Sequence, residues 1–173
     1  MATIRRIGDE ASLLNRNENG ILRENFTNAR VMVWSCSAYR SMCDALYEQF
    51  QSGASVILYR MGEGYARKLV KGIPRLGSSR DEVIESLEKL ASLSGWGMMK
   101  IKSTGEKGAE CVVEKSAFIL RKEGIGPTTC HFLSGVLAGA GSEIFGGEFD
   151  SHELNCAAAD ESASCRFVLR AKS

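Results

Sequence analysis

The sequence predicts an α+β domain in which an antiparallel sheet packs against several helices. Segments with helical spacing precede a pair of strands, one more apolar helix and two closing strands, so the order is neither a strict βαβ alternation nor a helical bundle. The loop between the paired strands contains Gly105 and Gly108, which suits a hairpin. A chain of 173 residues is the ordinary size of one domain with its own core.

The N-terminal part of the chain is predicted to be an arm followed by a strand. Residues 1–28 are polar and weakly patterned, and we interpret them as a mobile arm or as a short element lying against a partner. Residues 29–173 then form the single domain. Its first element is a strand over Arg30 to Cys36, which is rich in β-forming residues.

Three helices are predicted next. Apolar residues recur at steps of three and four from Tyr39 to Phe50, and Gly53 ends this first helix. A second helix begins at Ser55 and continues to about Gly72. The third follows a capping-box signature, in which Ser79 precedes Glu82 by three residues, and it ends at about Gly95.

The rest of the chain is predicted to complete the sheet around a buried helix. Pro127 is placed in the first turn of that helix, where proline is favoured, and the helix runs to about Phe145. Gly135 and Gly139, four residues apart, allow another backbone to approach it closely. In the last strand Cys165, Phe167 and Leu169 share one face, with Arg166 and Arg170 on the other. The predicted strands are Trp96–Lys102, Ala109–Ile119, Glu148–Ala157 and Ser164–Ala171.

Composition and charge narrow the classes of function. The net charge of +1 predicts no nucleic-acid partner, because phosphate binding needs a basic surplus or a concentrated basic face. No apolar run approaches the roughly 20 residues of a membrane-spanning helix. The first ten residues lack the apolar core of a signal peptide. We therefore expect a cytoplasmic protein whose six cysteines are reduced.

Cysteine and carboxylate side chains concentrate in the last third of the sequence. Glu153 and Cys156 are three residues apart, eight residues separate Cys156 from Cys165, and Cys130 lies upstream. Thiolates and carboxylates bind zinc well, and four of them complete a closed tetrahedral site. The spacing alone leaves a second interpretation open, in which these are separate core residues, since free cysteine is often buried.

Known catalytic motifs are absent from the sequence. Gly62-Glu-Gly64 and Gly139-Ala-Gly141 each lack the third glycine of a dinucleotide-binding loop. The adjacent Cys130 and His131 would diverge by about 100° on a helix, which disfavours a catalytic pair. A metal ion with four protein ligands also has no open position for water. The sequence therefore favours a binding protein over an enzyme.

Several segments resemble the 4-vinyl-reductase-type (4VR) domain. The resemblance lies in the helix from Cys130 to Gly146, in His152-Glu-Leu-Asn-Cys156 and in Ser164-Cys-Arg-Phe-Val168. A weaker match is Leu58-Tyr-Arg-Met-Gly-Glu-Gly-Tyr-Ala66. The family includes sensory domains of phenol- and toluene-responsive bacterial activators, archaeal proteins and a protein linked to bacteriochlorophyll synthesis. It is also related in fold to a vesicle-tethering subunit.

The resemblance implies a structural zinc ion. In the phenol-sensing members, zinc ligands correspond to Cys130, Glu153, Cys156 and Cys165 of this chain. One departure concerns the turn between the last two cysteines, which is one residue longer than usual and has Asp160 and Glu161 where the family has a glycine. His131 and His152 are alternative ligands, although we expect both to be surface residues.

The resemblance also implies a small-molecule pocket, which no residue pattern shows directly. Ligand sites are mostly apolar with a few polar anchors. Seven residues lie on elements that can enclose such a pocket, and ordinary core packing is the alternative interpretation for each. These residues are Trp34, Tyr59, Trp96, Met98, Phe118, Phe132 and Val136.

We therefore predict a ligand-binding or sensing module for a small hydrophobic, aromatic or tetrapyrrole-like molecule, with structural zinc. It is expected to be a homodimer that signals through a partner protein. One alternative is a redox switch that uses the zinc thiolates and the remaining thiols Cys36, Cys43 and Cys111. The other is an enzyme or carrier of tetrapyrrole metabolism.

Overall fold

The computed structural model describes residues 14–24, 28–72, 79–105, 108–119, 130–158 and 164–172. Within these ranges the chain forms four helices and two antiparallel sheets. This arrangement confirms the predicted α+β class. The chain divides into two compact units, Met1–Trp34 and Ser35–Ser173, which are described in turn.

The N-terminal unit contains a three-stranded antiparallel sheet. Its strands are β1 (Leu14–Arg16), β2 (Leu22–Glu24) and β3 (Arg30–Val31), in the order β1-β2-β3. The Asn17 side chain accepts hydrogen bonds from the amides of Asn19 and Ile21, at 3.1 and 2.9 Å, and so forms the turn between β1 and β2. Strands therefore occupy residues for which the sequence predicted a polar arm. The boundary at residue 28 stays a prediction.

The second unit begins with three helices. They are α1 (Cys36–Phe50), α2 (Gly53–Gly72) and α3 (Arg80–Leu93). The Ser35 hydroxyl accepts a hydrogen bond from the Ala38 amide at 3.1 Å and caps α1. The predicted strand over Arg30 to Cys36 is therefore wrong beyond Val31. The strand ends at Val31, and α1 begins at Cys36, directly after the Ser35 cap. The predicted capping box of α3 is confirmed, with Ser79 and Glu82 each accepting from the other's amide.

A four-stranded antiparallel sheet follows. Its strands are β4 (Met98–Ser103), β5 (Gly108–Glu114), β6 (Phe149–Asn155) and β7 (Ser164–Ala171), in the order β4-β5-β7-β6. The predicted strand to Ile119 ends early at Glu114, because Lys115 takes a left-handed conformation with φ of 52°.

The buried helix α4 (His131–Phe145) lies between α2 and the sheet. Cys130 is its N-cap, so the helix begins after the predicted Pro127, which lies outside the described residues. Gly135 and Gly139 are confirmed as points of close approach. A Cβ at Gly135 would collide with the Tyr59 carbonyl, and one at Gly139 with the Glu63 carbonyl. These glycines let α2 and α4 pack backbone to backbone. The contact fixes the position of α4 and of the side chains along it.

Candidate metal centre and ligand cavity

Three cysteine thiols and one glutamate carboxylate come together where α4 meets β6 and β7. Cys130 is the N-cap residue of α4, and Cys165 is the second residue of β7. Glu153 is near the end of β6, and Cys156 directly follows that strand. One ligand atom from each residue lies within 4.8 Å of all the others. The three cysteines are fully buried. The four residues predicted from the sequence are thus close enough together to hold a metal ion.

A β-bulge brings Glu153 and Cys156 onto one side of the sheet. Side chains alternate along a strand, so residues three apart should point to opposite faces. Between Glu153 and Asn155 the register with β7 shifts by one residue, and Leu154 between them is exposed to solvent. The extra residue reverses the alternation, so Cys156 turns inward beside Glu153.

The geometry of the cluster fits a tetrahedral metal ion. Thiolates held about 2.3 Å from zinc in a tetrahedron have sulfur atoms about 3.8 Å apart. The Sγ atoms of Cys130 and Cys165 are 3.7 Å apart. Glu153 Oε2 accepts a hydrogen bond from the Cys130 amide at 3.0 Å. Its Oε1 is buried with no hydrogen-bond partner among the described residues, as expected for an atom oriented toward a cation.

The electrostatics of the cluster also favour a cation. Burial raises the pKa of Glu153 to about 7. The pKa of Cys130 is raised by its hydrogen bonds with Cys156 and Cys165 and by burial. Without a positive charge the protonated forms are favoured, because several like charges in a shared buried space repel one another. A bound cation reverses this preference and stabilises the deprotonated forms.

Neither histidine belongs to the cluster. His131 is the first residue of α4 and is partly buried, and burial lowers its pKa. His152 is exposed on β6. The longer turn before Cys165 does not displace that thiol from the site, although Asp160 and Glu161 themselves lie outside the described residues.

An apolar cavity lies in the same unit, between α2, α3, β4 and α4. Its volume is about 30 Å³. Most of its lining surface is apolar, and the lining residues with a polar side-chain group are Tyr65, Ser94 and Trp96. The apolar walls come from Ala66, Leu69, Val70, Leu87, Leu90, Ala91, Met99, Ile101, Val136, Leu137 and Ala140.

Four of the seven predicted pocket residues lie at this cavity or next to it. Trp96 and Val136 line it. Phe118 and Phe132 pack against Trp96, with ring centroids 5.0 and 6.3 Å from the indole. Tyr39 and Tyr65 complete an aromatic cluster of five rings, and Tyr65 also lines the cavity.

The other three predicted residues lie elsewhere. The Tyr59 hydroxyl donates a hydrogen bond to Asp150 Oδ1 at 3.2 Å. Met98 is 60% exposed, because it points to the sheet face opposite Met99. Trp34 belongs to the N-terminal unit and is 52% exposed.

Sequence reasoning missed the contributions of β4 and α3 to the cavity. The alternation along β4 had a usable signal, since Met99 and Ile101 alternate with the exposed Lys100 and Lys102. On α3, Leu87, Leu90 and Ala91 lie at helical spacing on one side, but nothing local shows that this side covers a cavity rather than ordinary core.

Solved structures of low sequence identity share this fold. The phenol-responsive sensory domain of the transcription activator PoxR, with phenol, has a TM-score of 0.76 at 18% identity, over 92% of this chain and 85% of its own. A trafficking protein particle complex subunit 3 from Naegleria fowleri, covalently bound to palmitic acid, has a TM-score of 0.61 at 16% identity, over 80% and 93%. A vinyl-4-reductase family protein from Methanocaldococcus jannaschii has a TM-score of 0.59 at 19% identity, over 83% and 85%.

The comparisons with known proteins identify the fold of this chain through structure rather than through sequence. No family model matches the chain, and no curated protein matches its sequence. The structural matches show that the chain has a 4VR-like sensory-domain fold, which confirms the resemblance noted in the sequence. Of the three structures, the PoxR domain gives the highest TM-score. Among the described residues, none of the helices combines the length and apolarity needed to cross a bilayer.

Proposed function

We propose that this protein binds a small, neutral, apolar or aromatic molecule at the cavity beside Trp96 and thereby acts as a sensory module. The observation that carries the proposal is the apolar cavity, which is walled by four elements and bordered by an aromatic cluster. Apolar pockets with few polar groups are typical of small-molecule sites. A chain without a recognisable catalytic set fits a binding role.

Ligand binding requires this cavity to grow. A cavity of roughly 150 Å³ lined by Leu, Ile and Phe accepts benzene in a protein core. The 30 Å³ seen here is several-fold smaller. Tyr65, which is 42% exposed, and Ser94, the C-cap of α3, are the exposed residues of the lining. We infer that movement of these side chains opens the cavity to the ligand.

The structural relatives support an apolar ligand. The PoxR domain is described with phenol, and the trafficking subunit is bound to palmitic acid. Both molecules have a large apolar part and one oxygen-bearing group. A macrocycle such as a tetrapyrrole is much larger than the present cavity, so the size of the cavity favours a compact ligand.

We further propose that the metal ion is zinc and that its role is structural. Three thiols and one carboxylate are a donor set that suits zinc. Four protein ligands leave no open position for water or substrate, which is the pattern of a structural site. The ion would join the start of α4 to β6 and β7.

Cavity filling tests the ligand proposal. Ala140→Val adds two methyl groups to the cavity wall and should weaken binding of phenol or toluene at least about tenfold, measured by calorimetric titration. Ala45→Val on the exposed face of α1 is the matched control, since it makes the same change in helix propensity away from the cavity. Equal affinity in both variants, or no binding to the unaltered protein, would contradict the proposal.

A redox switch is the second candidate function. The 3.7 Å separation of the Cys130 and Cys165 sulfurs favours it, because a peroxide can convert two neighbouring thiols into a disulfide with reduction of the peroxide to water or an alcohol. Complete burial of both thiols argues for slow oxidation. Mild peroxide treatment followed by metal release, reversed by a thiol reductant, would support this function.

The predicted homodimer, downstream partner and cytoplasmic location remain proposals. Native mass spectrometry of the purified protein reports subunit number, metal and bound organic molecule in one sample. A Soret-type absorbance that stays with the protein on gel filtration after addition of a porphyrin would instead favour the tetrapyrrole alternative.

A further inference from the structure

Two buried tyrosine hydroxyls on α1 have no oxygen or nitrogen hydrogen-bond partner among the described residues. They belong to Tyr39 and Tyr47, and the buried Cys43 lies between them in sequence. Spacing of four residues places all three side chains on one face of the helix. An unpaired buried hydroxyl is costly, and few native structures keep one without a reason. Two of them on one helix face indicate a missing partner.

The surroundings of these hydroxyls are apolar, with no positively charged side chain among the described residues there. Cys43 packs with Leu58, Met42, Leu46 and Phe132. The polar neighbour of both hydroxyls is the Cys43 thiol, which interacts with the Tyr39 hydroxyl but is a weak hydrogen-bonding group. An ionised group is costly to bury in such an apolar site without a cation. The site therefore suits a neutral oxygen and disfavours a carboxylate.

The Tyr39 ring links this site to the aromatic cluster. Its centroid lies 5.3 Å from that of Phe118 and 6.2 Å from that of Phe132. Both phenylalanines also contact Trp96, which lines the cavity. A ligand that enlarges the cavity by displacing these rings would therefore come into contact with the Tyr39 side chain.

We propose that Tyr39, supported by Tyr47, is the polar anchor of the ligand site, and that the ligand is a neutral apolar molecule carrying one hydroxyl or carbonyl oxygen. This inference rests on the proposed ligand-binding function and adds its selectivity. The hydroxyl of Tyr39 donates to the ligand oxygen, or accepts from a ligand hydroxyl, and so gains a stronger hydrogen bond than the Cys43 thiol provides.

Phenol and toluene are a suitable pair of probes, since they have nearly the same shape and differ in the hydroxyl. The unaltered protein should bind phenol more tightly than toluene. In Tyr39→Phe, phenol affinity should fall by about three- to tenfold while toluene affinity is unchanged, because one neutral hydrogen bond is lost. The melting temperature of the unliganded variant should stay the same or rise, because an unpaired buried hydroxyl has been removed.

Tyr59→Phe is the matched control. Its hydroxyl already bonds Asp150 and the Ser151 amide, so this variant should melt at a lower temperature and keep the preference for phenol. Tyr47→Phe is a second variant, with a smaller loss of phenol affinity expected.

The possible failures are distinguishable. If neither phenol nor toluene binds the unaltered protein, the proposed function is overturned and this site with it. If both bind but Tyr39→Phe leaves their ratio unchanged, the hydroxyl holds an ordered water only and the present inference alone fails. A fall in melting temperature for Tyr39→Phe as large as for Tyr59→Phe would also overturn it, since the hydroxyl would then have a protein partner.

Discussion

At the residue scale, the identity of the four cluster residues carries the chemistry. Three thiols and a carboxylate are buried together, and the Glu153 Oε1 atom has no described hydrogen-bond partner. Without a cation such a set favours its protonated forms, whereas a bound cation stabilises the deprotonated ones. The sequence predicted all four residues, because residue type and the family resemblance were sufficient to select them.

Replacing one ligand should remove the metal. Cys156→Ser exchanges a thiolate for a poor zinc ligand, so the purified protein should hold well under one zinc ion per chain by elemental analysis. Its melting temperature should fall with the metal content.

Cys111→Ser is the matched control for that substitution. Cys111 is an equally buried thiol on β5 outside the cluster. Its substitution should cost stability through burial of a hydroxyl but leave the zinc content unchanged. Full zinc content in Cys156→Ser would show that this thiol is not a ligand.

At the scale of elements, two local features set the geometry: the glycine contact between α2 and α4, and the bulge in β6. The first brings two helix backbones together at Gly62, Gly135 and Gly139. The second turns Cys156 toward Glu153. Each feature depends on one to three residues whose effect extends over a whole element.

The helix contact should not tolerate a single methyl group. Gly135→Ala places a Cβ against the Tyr59 carbonyl and should destabilise the protein by about 3 kcal/mol or more in denaturant unfolding. Gly64→Ala on the open face of α2 is the control, because no atom lies within 4 Å of the added Cβ. It should stabilise by up to about 1 kcal/mol through helix propensity. Similar effects of the two changes would mean that the helices do not pack as described.

The account of the bulge predicts that its extra residue can be removed without loss of the metal site. Deletion of Leu154 leaves Glu153 and Cys156 two positions apart in a regular strand, on the same face, so the zinc content should be kept. Leu154→Ala keeps the extra residue and should also keep the zinc, since the side chain is exposed. Loss of zinc in the deletion variant alone, measured by elemental analysis, would refute the role assigned to the bulge.

At the scale of the whole second unit, α4 connects the two candidate sites. Its N-cap, Cys130, belongs to the metal cluster, and one to three turns further along Val136, Leu137 and Ala140 line the cavity. Because α4 packs tightly against α2 and the sheet, a change at its start is transmitted to the cavity wall.

Metal removal should therefore weaken ligand binding as well as stability. Chelation is expected to lower the melting temperature and to reduce phenol affinity, and restored zinc should recover both. The measurement is calorimetric titration before and after chelation, on protein shown by circular dichroism to remain folded. Unchanged phenol affinity in folded, zinc-free protein would show that the two sites are independent.

Much of the fold was readable from local pattern. The helix spacing from Tyr39 to Phe50, the capping box at Ser79 and the alternation around Phe167 each depend on residues within a few positions of one another. The errors occurred where a nearby residue overrode propensity, as when the Ser35 cap ended a β-rich segment and Lys115 ended β5. The N-terminal strands went unrecognised because their pairing, not their composition, makes them strands.

The sequence by itself determined which residue types are available for metal binding, where most helices and strands lie, and which face of β7 is buried. Only the tertiary structure decided that Cys130 and Cys165, 35 positions apart, bring their sulfurs to 3.7 Å. It also decided that Met99 rather than Met98 faces the cavity, and that two α1 hydroxyls are left without described partners. The reason is physical: propensity and periodicity act over a few residues, whereas a site or a cavity is formed by packing between distant elements.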